Sequence, residues 1–303
     1  MTSFAELGSP NPAPRDDHEM SSRLVYDVGM HRGEDTDFYL KRGHRVVGIE
    51  ANPHLVAKLR ARFKDEIGTG QLQIIERAVN SQAGAARFAI NQINSVWGTL
   101  RDEFITRNDA LGSPSSVIEV ECVTFDQILR EYGMPYYLKI DIEGCDLLCL
   151  EALSGFADRP RYVSVETVAT SPQRGVAETF AEIRLLHRLG YKRFQYVDQA
   201  PIAHSTHHLS IEGKPITYTF PAESSGPFGA ELAGRWRSFR IAALRGISLR
   251  LTDDFWGHGG WLRSRAGASR SLGLRRRLTG PRGIGTICTR RSTNAANVQT
   301  AIS

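Results

Sequence analysis

A glycine-bearing loop between a predicted strand and a predicted helix constrains the fold most. The loop, Asp27-Val-Gly-Met-His-Arg-Gly33, closes the apolar stretch Leu24–Val28 and leads into an acid-started helix over Glu34–Leu40. A strand that turns through glycine into a helix is typical of the ligand-binding edge of a parallel α/β sheet, because glycine lets the backbone approach a ligand closely. The pattern therefore predicts an α/β fold, with a purely structural tight turn as the alternative at this loop.

The charge of this loop favours a cationic ligand. Three acids, Glu34, Asp35 and Asp37, occupy the first helical turn. Carboxylates there suit the helix dipole, but they would repel a pyrophosphate placed on the same amides. The glycine spacing also differs from the Gly-x-Gly-x-x-Gly of dinucleotide folds. S-Adenosyl-L-methionine has no phosphate and carries a sulfonium and an ammonium group, so it is favoured over NAD.

A second carboxylate lies where a ribose would need it. The predicted strand Arg45–Ile49 ends at Glu50, which is 21 residues beyond Gly29. In doubly wound folds an acid at this offset accepts hydrogen bonds from the ribose hydroxyls. Adenosine is common to both cofactors, so Glu50 does not separate them. Asn52 and Pro53 then predict the N-cap and first residue of a helix that ends at Gly68.

Alternating strands and helices continue through the middle of the chain, as a parallel sheet with crossover helices requires. The predicted strands are Leu72–Ile75, Ala86–Ile90, Val117–Val123, Tyr137–Ile140, Tyr162–Val165 and Lys192–Val197. Helices are predicted over Asp126–Tyr132 and Ala177–Leu189. The stretch from Gln92 to Ser116 lacks clear periodicity, which indicates a functional loop.

Composition divides the chain into three parts. Residues 1–21 are polar and proline-bearing without an apolar run, so we expect a flexible arm and neither a signal peptide nor a transmembrane segment. Residues 22–255 are expected to form the catalytic domain. Residues 256–303 hold nine arginines and no acid, which predicts a basic, disordered tail. Without those arginines the net charge falls from +5 to −4, so nucleic-acid binding by the domain is disfavoured.

Cysteine and histidine usage gives no convincing metal site. Four cysteines in 303 residues without a secretory signal favour a reducing cytoplasm. Cys145 and Cys149 are four apart on a predicted helix but lack nearby partners for a tetrahedral set, so we expect small buried side chains. His204, His207 and His208 lie in a polar stretch that we expect to be a surface loop or a substrate contact.

Three ionisable residues alternate at the end of an apolar strand. In Tyr137-Leu-Lys-Ile-Asp-Ile-Glu-Gly144, period-two geometry places Lys139, Asp141 and Glu143 on one face at the carboxyl end, where α/β sheets bind ligands. A structural salt bridge of Lys139 with either acid is the alternative. Taken with the first loop, the pattern favours catalysis, with Asp141 as general base and Glu143 and His31 as the next candidates.

The ordered motifs resemble the FkbM family of S-adenosylmethionine-dependent methyltransferases. They comprise the Asp27–Gly33 loop, Gly48-Ile-Glu-Ala-Asn-Pro53, Ala78-Val79 with Gly84, Val123-Thr-Phe-Asp126, Leu138-Lys-Ile-Asp-Ile-Glu-Gly144 and a strand ending at Glu166. The resemblance runs from about Leu24 to Val197. It implies a Rossmann-like, seven-strand methyltransferase sheet, mostly parallel with one reversed strand, and helices on both faces. It also implies O-methylation of a hydroxyl on a sugar or other small molecule.

The resemblance also implies residue roles. Asp27, Gly29 and Gly33 would line the methionine end of the cofactor, Glu50 would hold the ribose, and Ala78 and Val79 would edge the adenine. Asp141 and Glu143 would face the methyl group and its acceptor, with Lys139 lowering the acceptor pKa or holding Asp141. Met30-His31 replaces the family's usual Ala-Asn, so His31 is expected to make a different contact. Ser225–Gly229 is expected to form a substrate lid.

Several alternatives stay open from sequence. An NAD-linked oxidoreductase and a non-catalytic, methyltransferase-like binding protein are the competing functions. The identity of the acceptor, any assisting divalent metal, the role of the arginine-rich tail and the oligomeric state are not encoded in a readable pattern.

Overall fold

The computed structural model describes residues 23–93, 98–110, 112–142, 144–166, 176–199, 201–211, 214–232, 234–256 and 285–291. Its strands are β1 (Leu24–Val28), β2 (Arg45–Glu50), β3 (Leu72–Glu76), β4 (Ala78–Val79), β5 (Gly84–Asn91), β6 (Ser115–Val123), β7 (Tyr137–Ile140), β8 (Tyr162–Glu166), β9 (Tyr191–Asp198), β10 (Thr206–Ile211), β11 (Lys214–Thr219) and β12 (Gly285–Arg291). Its helices are α1 (Glu34–Lys41), α2 (Pro53–Arg62), α3 (Lys64–Gly68), α4 (Asp102–Ala110), α5 (Phe125–Tyr132), α6 (Asp146–Ala152), α7 (Val176–Arg188) and α8 (Phe239–Trp256).

The main sheet has the strand order β3-β2-β1-β7-β8-β12-β9. Its first five strands pair in parallel, and β12 lies antiparallel to both β8 and β9. The prediction of a mostly parallel α/β sheet is therefore confirmed. The order reverses direction beside β1, so the β1 and β7 carboxyl ends meet at the point where such sheets bind ligands.

The reversed strand comes from an unexpected segment. β12 lies within residues 256–303, which the sequence predicts to be disordered, and that prediction is wrong for Gly285–Arg291. β12 is held by backbone hydrogen bonds to two neighbouring strands, and these bonds do not depend on the side chains. The composition of this segment therefore gave no sign of a strand. The rest of the predicted tail beyond Trp256, like the predicted arm at 1–21, lies outside the described residues.

Apolar residues of successive strands divide between two sheet faces. Tyr26, Val47 and Leu138 face one way and pack with residues of α5, α6, α7 and α8. Val25, Val46 and Tyr137 face the other way and pack with α1, α2 and the β10–β11 hairpin. Because neighbours along a strand point to opposite faces, Asp27 and Lys139 share this second face with Val25 and Tyr137.

A second small sheet corrects part of the sequence interpretation. The predicted strands at Ala86–Ile90 and Val117–Val123 exist as β5 and β6, but they leave the main sheet and join β4 in the order β4-β6-β5. β5 and β6 pair antiparallel, while β4 and β6 pair in parallel. The sequence could not separate these cases, because short alternating runs have the same period in either sheet.

Some predicted loops contain regular structure. The Gln92–Ser116 segment includes α4, and the polar stretch that holds the histidines forms β10 at His207 and His208, whereas His204 precedes that strand. His207 and His208 are neighbours in β10 and therefore point to opposite faces. The His207 ring contacts Phe220 with centroids 5.1 Å apart, and the His208 ring nitrogen Nδ1 lies 3.1 Å from Thr217 Oγ1. Among the described residues no His, Cys, Asp and Glu cluster could hold a metal ion.

The smaller predictions of the sequence analysis can be compared with the structure one by one. Asn52 Oδ1 accepts a hydrogen bond of 3.0 Å from the His54 amide, as expected of the N-cap of α2. The helix behind it is interrupted at Phe63, where α2 ends and α3 begins. Cys145 and Cys149 are both buried, as expected. Within the described part of the chain, no helix is both long and apolar enough to cross a bilayer.

Candidate functional site

The first loop crosses directly against the end of β7. A Cβ atom on Gly29 would lie 1.8 Å from the Asp141 carbonyl oxygen, and the φ of Gly29 is +84°. Both facts exclude any larger residue at this position. The predicted loop and the predicted Lys139-Ile-Asp141 strand end are thereby brought into contact. Gly33 serves a different purpose, because its Cβ position faces the Phe63 ring at 2.5 Å rather than the cavity.

The backbone amides of this loop are all used within the protein. They make the following contacts: Gly29 N and Met30 N with Ile49 O at 3.0 Å each, His31 N with Glu50 Oε2 at 2.8 Å, Arg32 N with Glu34 Oε2 at 3.1 Å, and Gly33 N with Met30 O at 2.8 Å. A phosphate-binding loop must instead direct free amides at its ligand. The internal pairing agrees with the sequence argument against a pyrophosphate at this loop.

Glu50 lies at the tip of β2 and is held by two amides. Its oxygens accept hydrogen bonds from His31 N at 2.8 Å and Asn52 N at 2.9 Å. His31 adopts a φ of +51° to make its bond, which is uncommon for a residue other than glycine. Burial raises the pKa of Glu50, and the two amides oppose that rise. Glu50 lines the cavity, and the two amide hydrogen bonds fix the orientation of its carboxylate there.

A buried ion cluster forms beneath the loop, around Lys139. Lys139 Nζ lies 3.0 Å from Asp27 Oδ1, 3.4 Å from Asp35 Oδ2 and 3.9 Å from Asp141 Oδ2. Burial disfavours the charge of Lys139, but the three carboxylates outweigh burial, so its pKa lies well above the ordinary range. One cation among three acids leaves the cluster net negative when all are ionised, which favours a cationic ligand.

The cluster changes the interpretation of Asp27. Its side chain is 1% exposed, and besides Lys139 it accepts a hydrogen bond from Thr36 Oγ1 at 2.7 Å. Asp27 therefore does not line the cavity, contrary to its expected place at the methionine end. Register explains the difference, because Asp27 pairs with Lys139 across β1 and β7 and points into the covered face of the sheet. Its part is to hold Lys139.

Asp141 and Asp35 both have raised pKa values. Burial between the cavity walls raises the pKa of Asp141 to about 6 against the opposing charge of Lys139, although 41% of its side chain is open to solvent. Burial likewise raises the pKa of Asp35 to about 6, again opposed by Lys139. The charge of Asp27 adds to both rises. Raised acids beside a cavity are typical of functional sites.

His31 interacts with Glu34, the first residue of α1. Its Nδ1 lies 3.2 Å from Glu34 Oε1, and both residues line the cavity. Burial opposes ionisation of Glu34, but hydrogen bonds from His31 and from backbone amides outweigh it, so the pKa of Glu34 is lowered. His31 is thus directed partly at Glu34. Glu143, the other predicted catalytic candidate, lies outside the described residues.

A cavity of about 400 Å³ connects these groups. Its lining includes the predicted residues Gly29, His31, Glu50, Ala78, Val79, Lys139 and Asp141. Residues that the sequence analysis did not place there also line it: Met30, Arg77, Phe88, Thr99, Leu100, Cys145, Gln199 and Ser224. They come from loops and from the second sheet, and their local sequence carries no pattern that places them at a site. The volume suits a small-molecule ligand.

The predicted substrate lid is partly an anchor. The Phe228 ring stacks on Tyr137 with centroids 3.8 Å apart and belongs to the core rather than to a lid. The preceding segment, Pro221–Gly226, does border the cavity through Ala222, Glu223 and Ser224. Asp35 fixes this segment, because its carboxylate accepts hydrogen bonds from Ser225 N at 2.8 and 3.1 Å and from Gly226 N at 3.3 Å.

Comparison with known families identifies the family of this chain. The Methyltransferase FkbM domain matches residues 27–193, which is more than half of the chain and includes the first loop and β7. The chain belongs to the FkbM methyltransferase family. Its cofactor is S-adenosylmethionine. The NAD-linked alternative from sequence is therefore wrong, in agreement with the paired loop amides. The net negative cluster fits a sulfonium and an ammonium group, and Glu50 between two amides fits a ribose.

More distant similarities are partial. One relative, the probable ribosomal RNA small subunit methyltransferase A of Methanospirillum hungatei JF-1, is 34% identical over 58 residues, which is 19% of this chain and 23% of that protein. The C-terminal domain of precorrin-6Y C5,15-methyltransferase from Rhodobacter capsulatus is 9% identical, with a TM-score of 0.35 over 65% of this chain and 75% of that one. Aeropyrum pernix fibrillarin, solved with S-adenosyl-L-methionine, is 12% identical, with a TM-score of 0.35 over 60% and 62%.

Proposed function

We propose that FkbM-family catalysis in this chain is O-methylation of a hydroxyl on a small molecule, with Asp141 as general base. The observation that carries the proposal is the position of Asp141. It follows β7, lines the cavity and contacts the first loop through its backbone, because Asp141 N donates to Val28 O at 2.9 Å. The carboxylate therefore lies beside the loop that would hold the methionine end of the cofactor.

Asp141 has the protonation state that a base needs. With a pKa raised to about 6, it is ionised at pH 7 and still basic enough to accept the proton of a hydroxyl as the oxygen forms its new bond. When bound, the cofactor supplies an electrophilic methyl group on a positively charged sulfur. Asp141 then takes the hydroxyl proton, and Lys139 keeps the carboxylate directed and offsets its charge. Holding both reactants in line would contribute on the order of 7 to 11 kcal/mol to lowering the barrier.

The proposal also assigns the other predicted residues. Glu50 holds the ribose, Ala78 and Val79 edge the adenine, and Gly29 allows the close approach of the methionine end. Glu143 remains a candidate next to the acceptor, and His31 is the second candidate base.

A small uncharged acceptor suits the cavity better than a nucleic acid. Besides Glu50 and Asp141, the cavity is lined by four further acids, Glu34, Asp35, Glu166 and Glu223. Together these carboxylates would repel the phosphate backbone of a nucleic acid. We therefore propose a small-molecule hydroxyl compound, even though the Methanospirillum relative is named for ribosomal RNA.

A methylation screen tests the proposal directly. The full chain is incubated with S-adenosylmethionine and a set of hydroxyl compounds, and products that gain about 14 Da are identified by mass spectrometry. Once an acceptor is found, Asp141→Asn is compared with the wild type over pH 5 to 8. We expect the wild-type kcat/KM to fall as the pH drops through about 6, because Asp141 takes up a proton there, and kcat of the variant to fall by roughly a hundredfold or more.

Two results would contradict the proposal. If Asp141→Asn lowers cofactor affinity and kcat to the same extent, Asp141 is a binding residue and not the base. If S-adenosylmethionine binds but no acceptor is methylated in any screen, including amines, the non-catalytic binding protein becomes the better interpretation.

A further inference from the structure

Ser224 is a buried polar residue at the wall of the cavity. Only 4% of Ser224 is exposed, and its buried hydroxyl oxygen has no hydrogen-bond partner among the residues that the structure describes. A hydroxyl left unpaired in a protein interior costs free energy, so an unpaired one beside a binding cavity indicates a bond that a ligand completes. Ser224 lies in the Pro221–Gly226 segment, whose Ala222 and Glu223 also line the cavity.

The position of Ser224 is fixed by the buried ion cluster. The neighbouring amides, Ser225 N and Gly226 N, donate to the carboxylate of Asp35. Asp35 in turn lies 3.4 Å from Lys139 Nζ, and Lys139 Nζ lies 3.4 Å from the Gly29 carbonyl oxygen. A chain of short polar contacts therefore links this segment to the first loop. Ser224 therefore belongs to a cavity-lining segment that is joined to Lys139 through Asp35.

The amino-acid end of the cofactor needs hydrogen-bond donors at this place. Its carboxylate cannot use the amides of Gly29 to Gly33, because each of them already donates within the protein. Nor is Lys139 uncommitted, because three carboxylates surround it. Because acids surround the site, the carboxylate of the cofactor needs a hydrogen-bond donor directed at it. A serine hydroxyl can be that donor.

We propose that the Ser224 hydroxyl donates a hydrogen bond to the amino-acid end of S-adenosylmethionine, and that Asp35 is the positioning residue that holds its segment in place. The proposal rests on the placement of the cofactor given under Proposed function. It adds a contact from a segment that lies beyond residues 27–193, the part of the chain that matches the family.

The test compares two ligands that differ only at the end in question. S-Adenosylhomocysteine has the amino-acid end, whereas 5′-methylthioadenosine keeps the adenosine and the sulfur and lacks it. Dissociation constants of both are measured by calorimetry on the full-length wild type, on Ser224→Ala and on Ser225→Ala. Ser225 is the matched control, because it has the same side chain one residue away and does not line the cavity.

We expect Ser224→Ala to weaken S-adenosylhomocysteine binding by about tenfold or more, as for a lost hydrogen bond to a charged group. Binding of 5′-methylthioadenosine should stay within about twofold, and Ser225→Ala should leave both ligands within about twofold. Asp35→Asn should weaken S-adenosylhomocysteine more than 5′-methylthioadenosine as well, because a displaced segment moves Ser224 away. Should Ser224→Ala not fold, Ser224→Cys keeps the size of the side chain with a weaker donor and is expected to show the same selectivity.

Three outcomes overturn the inference. Equal losses for both ligands would mean that Ser224 only shapes the cavity. Unchanged binding of both ligands would mean that Ser224 makes no contact with the amino-acid end of the cofactor. If the wild type does not bind S-adenosylhomocysteine, there is no amino-acid end for Ser224 to bind, and the inference fails. None of these measurements involves turnover, so the role of Asp141 can fail while Ser224 stands, and the reverse also holds.

Discussion

The close approach of Gly29 to the backbone of Asp141 predicts that adding one methyl group at Gly29 strongly lowers stability and activity. In Gly29→Ala the new Cβ would lie 1.8 Å from the Asp141 carbonyl oxygen, whereas ordinary contacts begin at 3.4 Å. The loop and the end of β7 must therefore move apart by about 1.6 Å, because the two atoms nearest to the new Cβ are the backbone oxygen and carbon of Asp141, which cannot rotate away. In addition, alanine at a φ of +84° costs about 1 to 2 kcal/mol.

The magnitude follows from these two terms. Forced overpacking typically costs about 1 to 3 kcal/mol, so we expect Gly29→Ala to lower the free energy of unfolding by about 2 to 5 kcal/mol. Because Asp141 moves with the end of β7, a displacement above about 1 Å should also lower the methylation rate by roughly a hundredfold. Affinity for S-adenosylhomocysteine should fall as well, since the loop borders the cavity.

A control in the same chain separates strain from overlap. Gly70 has a φ of +77°, and nothing lies within 4 Å of its Cβ position. Gly70→Ala should therefore show only the backbone cost, about 1 to 2 kcal/mol, and normal ligand binding. Urea unfolding gives the stabilities and calorimetry gives the affinities. Equal stabilities for the two variants, with unchanged affinity in Gly29→Ala, would refute the reasoning.

Two further predictions concern the buried charges. Lys139→Met leaves Asp27 and Asp35 without their cation, so urea unfolding at pH 7 should show a loss of about 3 to 5 kcal/mol. The loss should shrink toward pH 5, because the pKa of Asp35 is about 6 beside Lys139 and rises further without that cation, so that protonation removes one uncompensated charge; a loss that is independent of pH would contradict this. Glu50→Gln places an amide group opposite the His31 and Asn52 amides, so calorimetry should show about tenfold weaker binding of both S-adenosylhomocysteine and 5′-methylthioadenosine. If only the binding of S-adenosylhomocysteine is weakened, Glu50 does not bind the ribose, because both ligands contain it.

Much of the fold near the first loop could be predicted from the sequence. β1, α1, β2, β7 and β8 lie within one residue of their predicted bounds, because their apolar periodicity, glycines and caps all indicate the same structure. The Asn52 cap and the mostly parallel sheet follow from the same local signals. Predictions weakened after Val197, where β10, β11 and α8 carry less regular patterns.

The partners within the site could not be predicted so well. The sequence indicates Lys139 and Asp141 as a pair, yet the shortest ion pair of Lys139 joins it to Asp27, 112 residues away. Neither the Asp35 contact with the Pro221–Gly226 segment nor the unpaired hydroxyl of Ser224 has any trace in local spacing. Such contacts depend on which strands become neighbours, and strand order is a property of the whole sheet.

The sequence by itself determined the class of fold, the acidic glycine loop, Glu50 at the tip of β2 and a cationic rather than a phosphate-bearing cofactor. Those features depend on residue type and on separations of a few residues up to one strand-helix-strand unit, where backbone geometry leaves little choice. Only the tertiary structure decided that Asp27 holds Lys139 instead of facing the cavity, that β12 completes the sheet and that Ser224 borders the cavity. The physical reason is that burial and charge compensation arise between segments far apart in the chain, and they exist only once those segments pack.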